Sequence, residues 1–500
     1  MDADATNDPR QPRLWSAATR GCGRYLHKVR PACDVVVIGS GPNGLAAAIV
    51  AAQRGLTVRL YEAQPYLGGG LRSAELTAPG FINDACASVL PMGAASPFLR
   101  SLPLAALGFE WLTPEAAAAH PLDDGSAAIL WNDLNRTCAE LGRDGPAWNR
   151  AIGTTARAWH DLEGDILAPV GIPRHPLTYT RFGLGALRTA GGFARGNFSG
   201  APARALFAGV AGHGVTPFTF AGSAAVGIVL SAAGHVRGWP VVRGGTQKLA
   251  DALVAHFRSS GGEIIAGTPI TSFDQLPPAR QYFFDTTPRA LAAILGNRAP
   301  TSFARSAQAF PHGPGVFKLD WALREPIPWR ARDCAKAATV HVGGTLDAIA
   351  AAEAAPWKGE HAERPYVLLT QPSVVDPSRA PAGQHTAWAY CHVPNGSTVD
   401  MTARIEAQIE RYAPGFRDVV IARTVRTPQM LEAANANLVG GDIGGGANTL
   451  ANILFRPSWH HYNTGVPNVY LCSASTPPGG GVHGMCGYHA ATRVLGRWVR

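Results

Sequence analysis

Acidic side chains are missing from one long stretch: between Asp165 and Asp251 the chain has no aspartate or glutamate. The same stretch holds Arg174, Arg181, Arg188, Arg195, Arg204, Arg237, Arg243 and Lys248, which account for nearly all of the formal net charge of +9. The basicity is therefore local, and a cationic substrate is disfavoured there. Nucleic acid is disfavoured as well, because the basic stretch brings no binding motif and no aromatic stacking platform. Cysteine is sparse and scattered, eight in 500 residues, with no C-x-x-C pair and no metal-ligand spacing. That excludes a thiol–disulfide active site and a zinc site, and it fits a reduced, cytoplasmic compartment. Residues Met1 to Arg30 lack the apolar core of a secretion signal and start with acids, unlike an organelle transit peptide. They read as part of an extension, residues 1–33, outside the fold. Val215 to Gly234 is uncharged and long enough to span a bilayer. Its proline, threonine, serine and glycine lower its hydropathy, so it is expected to be a buried helix lining a cavity.

What is present supports a large globular protein. Hydrophobic residues make up 46% of the chain, enough for a sizeable core, and the length points to two or more domains. The strongest local pattern is CDVVVIGSGPNGLAAAIVAAQRGLTVRLYEAQPYLGGGLRS, starting at Cys33. Asp34 to Ile38 is a β-branched run of the kind that forms a buried parallel strand. A glycine turn follows, then an alanine-rich helix from Ala46 to Arg54 capped by Gly55, then a second strand from Leu56 to Tyr61 ending at Glu62. In such a βαβ unit Gly39 permits the turn, Gly41 lets backbone N–H groups approach a pyrophosphate, and Gly44 lets helix and strand pack closely. The anion sits on the positive end of the helix. Glu62 follows Gly44 at close to the spacing of about 20 residues at which a carboxylate meets ribose hydroxyls. This turn fits NAD and FAD equally, since both carry the same ADP half. Leu67-Gly68-Gly69 and Arg72-Ser73 add a second close backbone approach and a guanidinium suited to phosphate oxygens.

With Pro79-Gly80-Phe81 and Asp84 following, this segment resembles the FAD-binding amine oxidase and phytoene desaturase superfamily. Further along, Val242-Arg243-Gly244-Gly245-Thr246 resembles the Gly-Gly turn that opens a helix in that family. Gly441-Asp442, Arg456-Pro457 and the Ser473 to Val482 turn resemble its final flavin-contacting region. The resemblance covers about residues 34 to 500. It implies an α/β fold in which a Rossmann-like FAD-binding domain, of the glutathione-reductase-like type, is interleaved with an α+β substrate domain. The expected boundaries are 34–115, 240–302 and 424–500 for the first and 116–239 with 303–423 for the second. It also implies FAD contacts at Gly39, Ser40, Gly41, Pro42, Asn43 and Gly44. Further contacts are implied at Glu62, Ala63, Gly69, Gly70, Leu71 and Arg72, at Ile270, and at Ser475, Gly480, Gly481 and Val482. Ser473, Ser475 and Pro477 depart from the commoner glycines and histidine of that last turn.

Within the fold, Glu263 to Ile265, Thr268 to Phe273 and Phe283 onward are expected as strands, as are Phe317 to Leu323, Val367 to Thr370 and Trp388 to Tyr390. Met401 to Tyr412 is expected as an amphipathic helix. Lys318 is expected to be structural. His483, His489, His460 and His461 are candidate acid–base groups set against ordinary hydrogen-bonded histidines. No nucleophile–base constellation is recognisable, and no catalytic side chain or metal ligand is assigned. Arg174, Arg181, Arg188 and Arg195 recur every seven residues among Leu177, Phe182, Leu184 and Leu187. The region 171–208 is therefore either a solvated face of the substrate domain or a peripheral membrane contact. Taken with the resemblance, the expected function is FAD-dependent hydride abstraction from an apolar, isoprenoid or lipid-like substrate. A flavin amine oxidase and a non-enzymatic FAD-binding assembly protein are the alternatives. An NAD-using reductase is least supported, since only one convincing dinucleotide turn is present.

Overall fold

The computed structural model describes residues 32–496. The extension expected over 1–33 lies outside the described residues except for its last two, and Cys33 already belongs to the first strand. In chain order the principal strands are β1 (Cys33–Ile38), β2 (Val58–Tyr61), β3 (Ala116–Pro121), β4 (Ala127–Trp131), β5 (Glu263–Ile265) and β6 (Ala279–Phe284). They continue as β7 (Gly315–Leu323), β8 (Thr339–Val342), β9 (Val367–Thr370), β10 (His385–Val393), β11 (Val420–Arg426) and β12 (Val469–Leu471). The helices that position the site are α1 (Pro42–Ala52), α2 (Trp159–Ile166), α3 (Pro176–Ala186), α4 (Ala190–Asn197), α5 (Ala201–Ala211), α6 (Ala224–Arg237), α7 (Gln247–Ser259) and α8 (Met485–Leu495).

One sheet is wholly parallel, in the order β12-β6-β1-β2-β5. Val35, Val36 and Val37 of its central strand are fully buried, as a β-branched strand covered on both faces should be. Each such side chain contributes about 1.5–3 kcal/mol by leaving water. α1, α7 and α8 pack on this sheet. Where α1 meets α8, a Cβ on Gly487 would lie 1.7 Å from the Asn43 carbonyl oxygen, so the two helices approach backbone to backbone.

The second sheet runs β11-β7-β10-β9-β8-β3-β4, antiparallel except where β8 lies beside β3. One face is covered by α4, α5 and α6, with Phe193, Phe198 and Phe207 packed together beneath. β11 belongs to this sheet and runs across the boundary expected at 423/424.

Four local expectations change. α1 starts at Pro42 rather than Ala46, because Gly41 is its N-cap and Pro42 presets the first helical φ; Asn43 and Gly44 fall in its first turn. It ends at Ala52, and Gly55, with φ +74°, sits in the turn beyond. Thr268 to Phe273 is not a strand. There Gln275 Oε1 accepts the Thr271 and Ser272 N–H groups, and Ser272 caps a short turn, removing donors a ladder would need. The helix expected over Val215 to Gly234 begins only at Ala224, after turns in which Val215 and Gly222 have positive φ. No helix of the described residues is long and apolar enough to cross a membrane.

Candidate flavin and substrate site

The cradle is formed where β1 enters α1. Gly39 has φ +97°, and a Cβ there would meet the Asp285 carbonyl oxygen at 2.9 Å. A Cβ on Gly41 would lie 2.5 Å from Asp285 Oδ2, and one on Gly69 would lie 3.0 Å from the Gly41 Cα. Only glycine permits these close approaches. The Ser40 N–H and hydroxyl both donate to Glu62 Oε2, at 2.8 and 2.6 Å, and the Gln64 N–H donates to Oε1 at 2.9 Å. The Gly68 N–H donates to Ser40 Oγ at 3.1 Å, so the two glycine segments are tied together around the carboxylate that ends β2. Arg72 stacks over the Tyr66 ring at 4.0 Å. Gly69, Gly70, Arg72 and Cys86 line a small pocket of about 30 Å³.

Two buried carboxylates frame this region. Asp285, at the end of β6, accepts the Gly44 N–H at 2.9 Å from the opposite side of the cradle. Burial pushes its pKa up to about 7; the Gly44 bond lowers it and Glu62 raises it further. Asp84 accepts from Ser73, Ser88 and the Thr246 N–H, and pairs with Arg379 at 2.7 Å, both side chains having no exposure. Burial raises the Asp84 pKa, but the Arg379 charge and these hydrogen bonds outweigh it and hold the carboxyl below its usual value. Asp84 thus ties the segment after the second glycine turn to Arg379, which lies between β9 and β10.

Cys86 also lines a larger cavity of about 430 Å³ between the two sheets. Its walls come from β8, β9 and β10, from α6, and from the turn holding Gly480, Gly481 and Val482. Apolar side chains dominate, among them Leu90, Met92, Val226, Val229, Leu368 and Trp388, and no aspartate, glutamate or lysine is included. Arg456 is its cation. It is 1% exposed and donates to the Asn452 and Ala474 carbonyls and to Asn448 Oδ1, at 3.3, 3.0 and 2.9 Å, without a carboxylate among these partners. The small pocket beside Gly69 and Gly70 and the apolar cavity share Cys86 in their walls.

Residues 34–104 match the model of the FAD dependent oxidoreductase family. The dinucleotide for which the cradle is shaped is FAD. The glycine turn at the N-terminus of α1 and the tethered Glu62 are compatible with its ADP half. Among known proteins, the chain is 36% identical over 151 residues to pyridine nucleotide-disulfide oxidoreductase domain-containing protein 2 of Rattus norvegicus, covering 27% of this chain and 26% of that one. It is 26% identical over 281 residues to phytoene desaturase (lycopene-forming) of Paracoccus, covering 50% and 53%. These alignments span between about a quarter and a half of the relatives' own length. A solved oxidoreductase from Methanosarcina mazei shares the fold, with TM-score 0.64, 15% identity and coverage of 93% of this chain and 100% of that one.

The flavin contacts expected from sequence are dispersed in part. Gly480, Gly481 and Val482 line the cavity, whereas Ser475 is buried outside its lining, and its N–H donates to Ser473 Oγ at 3.3 Å. Ile270 is packed in the core beneath β1. Of the candidate histidines, His483 lines the cavity; burial pushes its pKa down to about 4, and its Nδ1 accepts the Met485 N–H at 3.0 Å. His489 bonds the Leu167 carbonyl, and His460 lines a separate cleft with Trp459 and Arg493. Lys318 pairs with Asp320 and lies 4.7 Å above the Trp388 ring, outside the cavity lining.

His213 was invisible in the sequence. It lines the cavity, and its Nε2 is bonded at 2.8 Å to Nε2 of His341 from β8. Burial pushes His213 down to about 3 and His341 well below its usual value, so the pair is neutral. Asp285 was likewise missed, because nothing local distinguishes it from any acid that ends a strand.

Proposed function

We propose that this chain is an FAD-dependent oxidoreductase that removes hydride from an apolar, isoprenoid-like or lipid-like substrate. The observation that carries the reading is the cavity, apolar and lined by no carboxylate, which shares Cys86 with the pocket beside Gly69 and Gly70. FAD bound there supplies a two-electron, hydride-accepting ring. The chain's own residues orient the substrate, exclude water and place charge. The apolar walls keep the chamber dry, which strengthens every electrostatic interaction within it. Arg456, buried with only neutral hydrogen-bond partners, is positioned to balance negative charge that develops beside it.

His213 and His341 stay neutral at physiological pH, so they serve better as a hydrogen-bonding pair than as a store for a substrate proton. This accords with a reaction in which side chains orient and the cofactor performs the redox step. An ammonium substrate would find no lining carboxylate to offset its charge, which places amine oxidation second. The test is the visible spectrum of the purified protein under anaerobic conditions, before and after addition of polyenes and of amines. Bleaching of a flavin spectrum by a polyene is the expected result. Bleaching only by an amine replaces the substrate class, and bound flavin that neither reduces favours a binding or assembly role.

A further inference from the structure

Half of the large apolar side chains exposed among the described residues lie between residues 170 and 187. Ile172 is 96% exposed, Leu177 88%, Leu184 71% and Leu187 56%. On α3, Leu177, Arg181 and Leu184 follow one another at helical spacing on a single face, with Arg174 before the helix and Arg188 after it. The opposite face is seated on the protein: Ala186 is buried, Phe182 packs on the core, and Gly185 faces Ile228 of α6 and Phe193 of α4. The exposed face is thus held outward by packing rather than left by fraying.

Three arginines surround it, with the carboxylates of Asp161 and Asp165 close by on α2. Arg174, Arg181 and Arg188 form no ion pair among the described residues. The nearby acids are engaged elsewhere: Asp165 accepts the Arg174 backbone N–H, and Asp161 lies 3.7 Å from His175. Arg195, the fourth arginine of the sequence repeat, is not part of this face, since it sits on α4 and pairs with Asp347.

We propose that α3 and the loop before it dock on an anionic lipid bilayer. Leucine and isoleucine side chains would enter the boundary of the acyl region while the arginines reach headgroup phosphates and carboxylates. A second copy of the chain is a poorer occupant: a two-fold contact through this face would set Arg174, Arg181 and Arg188 of the two copies together, with only Asp161 and Asp165 at its edge to offset them. The face also adjoins the cavity. Ile166 and Leu167 line it just before exposed Val170 and Ile172, and Val226 and Val229 line it from α6, on which α3 rests. Docking would bring the chamber to where lipid-soluble molecules reside. The proposal stands on exposure and charge, and does not depend on the oxidation chemistry.

The test is co-sedimentation of the flavin-loaded full chain with vesicles of phosphatidylcholine alone and of phosphatidylcholine with phosphatidylglycerol. Binding is expected to favour the anionic vesicles and to weaken with salt. Arg174→Gln with Arg181→Gln should lower affinity for anionic vesicles roughly 30-fold, about fivefold per arginine. Leu177→Glu with Leu184→Glu should reduce binding to both vesicles at least about 10-fold. Flavin absorbance identifies variants that remain folded, so a loss of lipid binding is distinguishable from a loss of the cofactor site. Equal binding to the two vesicles, binding to neither, or unchanged binding of the leucine variant overturns the proposal. Self-association without lipid that the leucine variant abolishes overturns it in favour of a second copy.

Discussion

The dinucleotide cradle and the substrate chamber share Cys86 at their junction, yet they are made of different material. The cradle is backbone: glycines 39, 41, 44 and 69, and N–H groups directed at one carboxylate. The chamber is side chains brought from β8 to β10, from α6 and from the turn before α8. A backbone surface tolerates no added atom, because at Gly39, Gly44 and Gly69 the nearest neighbours are other backbone atoms that cannot rotate aside. A side-chain surface can repack around a change. The two regions should therefore fail differently, the cradle abruptly and the chamber by degrees.

The largest effect is expected at Gly44, where a Cβ would stand 2.0 Å from the Gly39 carbonyl oxygen. Gly44→Ala forces α1 away from the turn, and overpacking of this kind costs about 1–3 kcal/mol before any loss of cofactor contacts. The purified variant should contain no flavin, measured by absorbance after reconstitution. Retained flavin would remove the distinction between the two regions.

Next comes the junction that holds them in register. Arg379→Met leaves the Asp84 carboxylate buried without its counter-charge, and chemical denaturation should show a loss of about 3–5 kcal/mol. Asp285 tests the cradle through pH. Its folded pKa of about 7 lies above the ordinary 3.8, so the native state binds this proton more tightly than the unfolded chain. That stabilisation is whole below about pH 3.8 and is lost as pH rises to about 7, on the order of 4 kcal/mol in all. Asp285→Asn should flatten the fall of Tm over that window, and an unchanged slope would assign the titration elsewhere. The smallest effect belongs to the chamber. His213→Phe removes one neutral hydrogen-bonding group and should lower kcat/KM about twofold to tenfold for the substrate that bleaches the flavin, leaving flavin content intact.

How much of this was legible depended on the separation of the partners. β1, the glycine turn, α1 and β2 could be read because each rests on neighbours in sequence, and the errors lay in bounds alone: α1 runs Pro42–Ala52 rather than Ala46 to Arg54, and β2 begins at Val58 rather than Leu56. Thr268 to Phe273 was misread as a strand because a side-chain cap competed successfully for the same backbone donors. The Asp285 carboxylate meets the Gly44 N–H across 241 residues, and Arg379 meets Asp84 across 295, separations at which no periodicity operates. The seven-residue arginine repeat promised one continuous face. Packing divided it, leaving Arg174, Arg181 and Arg188 around α3 and turning Arg195 to Asp347.

The sequence by itself determined the βαβ opening, the glycine surface that no other residue type can supply, and the confinement of positive charge to an acid-free stretch. These follow from local sterics and from composition, which do not need the rest of the fold. Only the tertiary structure decided that Asp285 closes the cradle, that His213 rests on His341 inside the chamber, and that the chamber lacks a carboxylate. Those are properties of surfaces assembled from distant segments. Their pKa values and their reach are set by burial and by partners that the folded chain alone brings together.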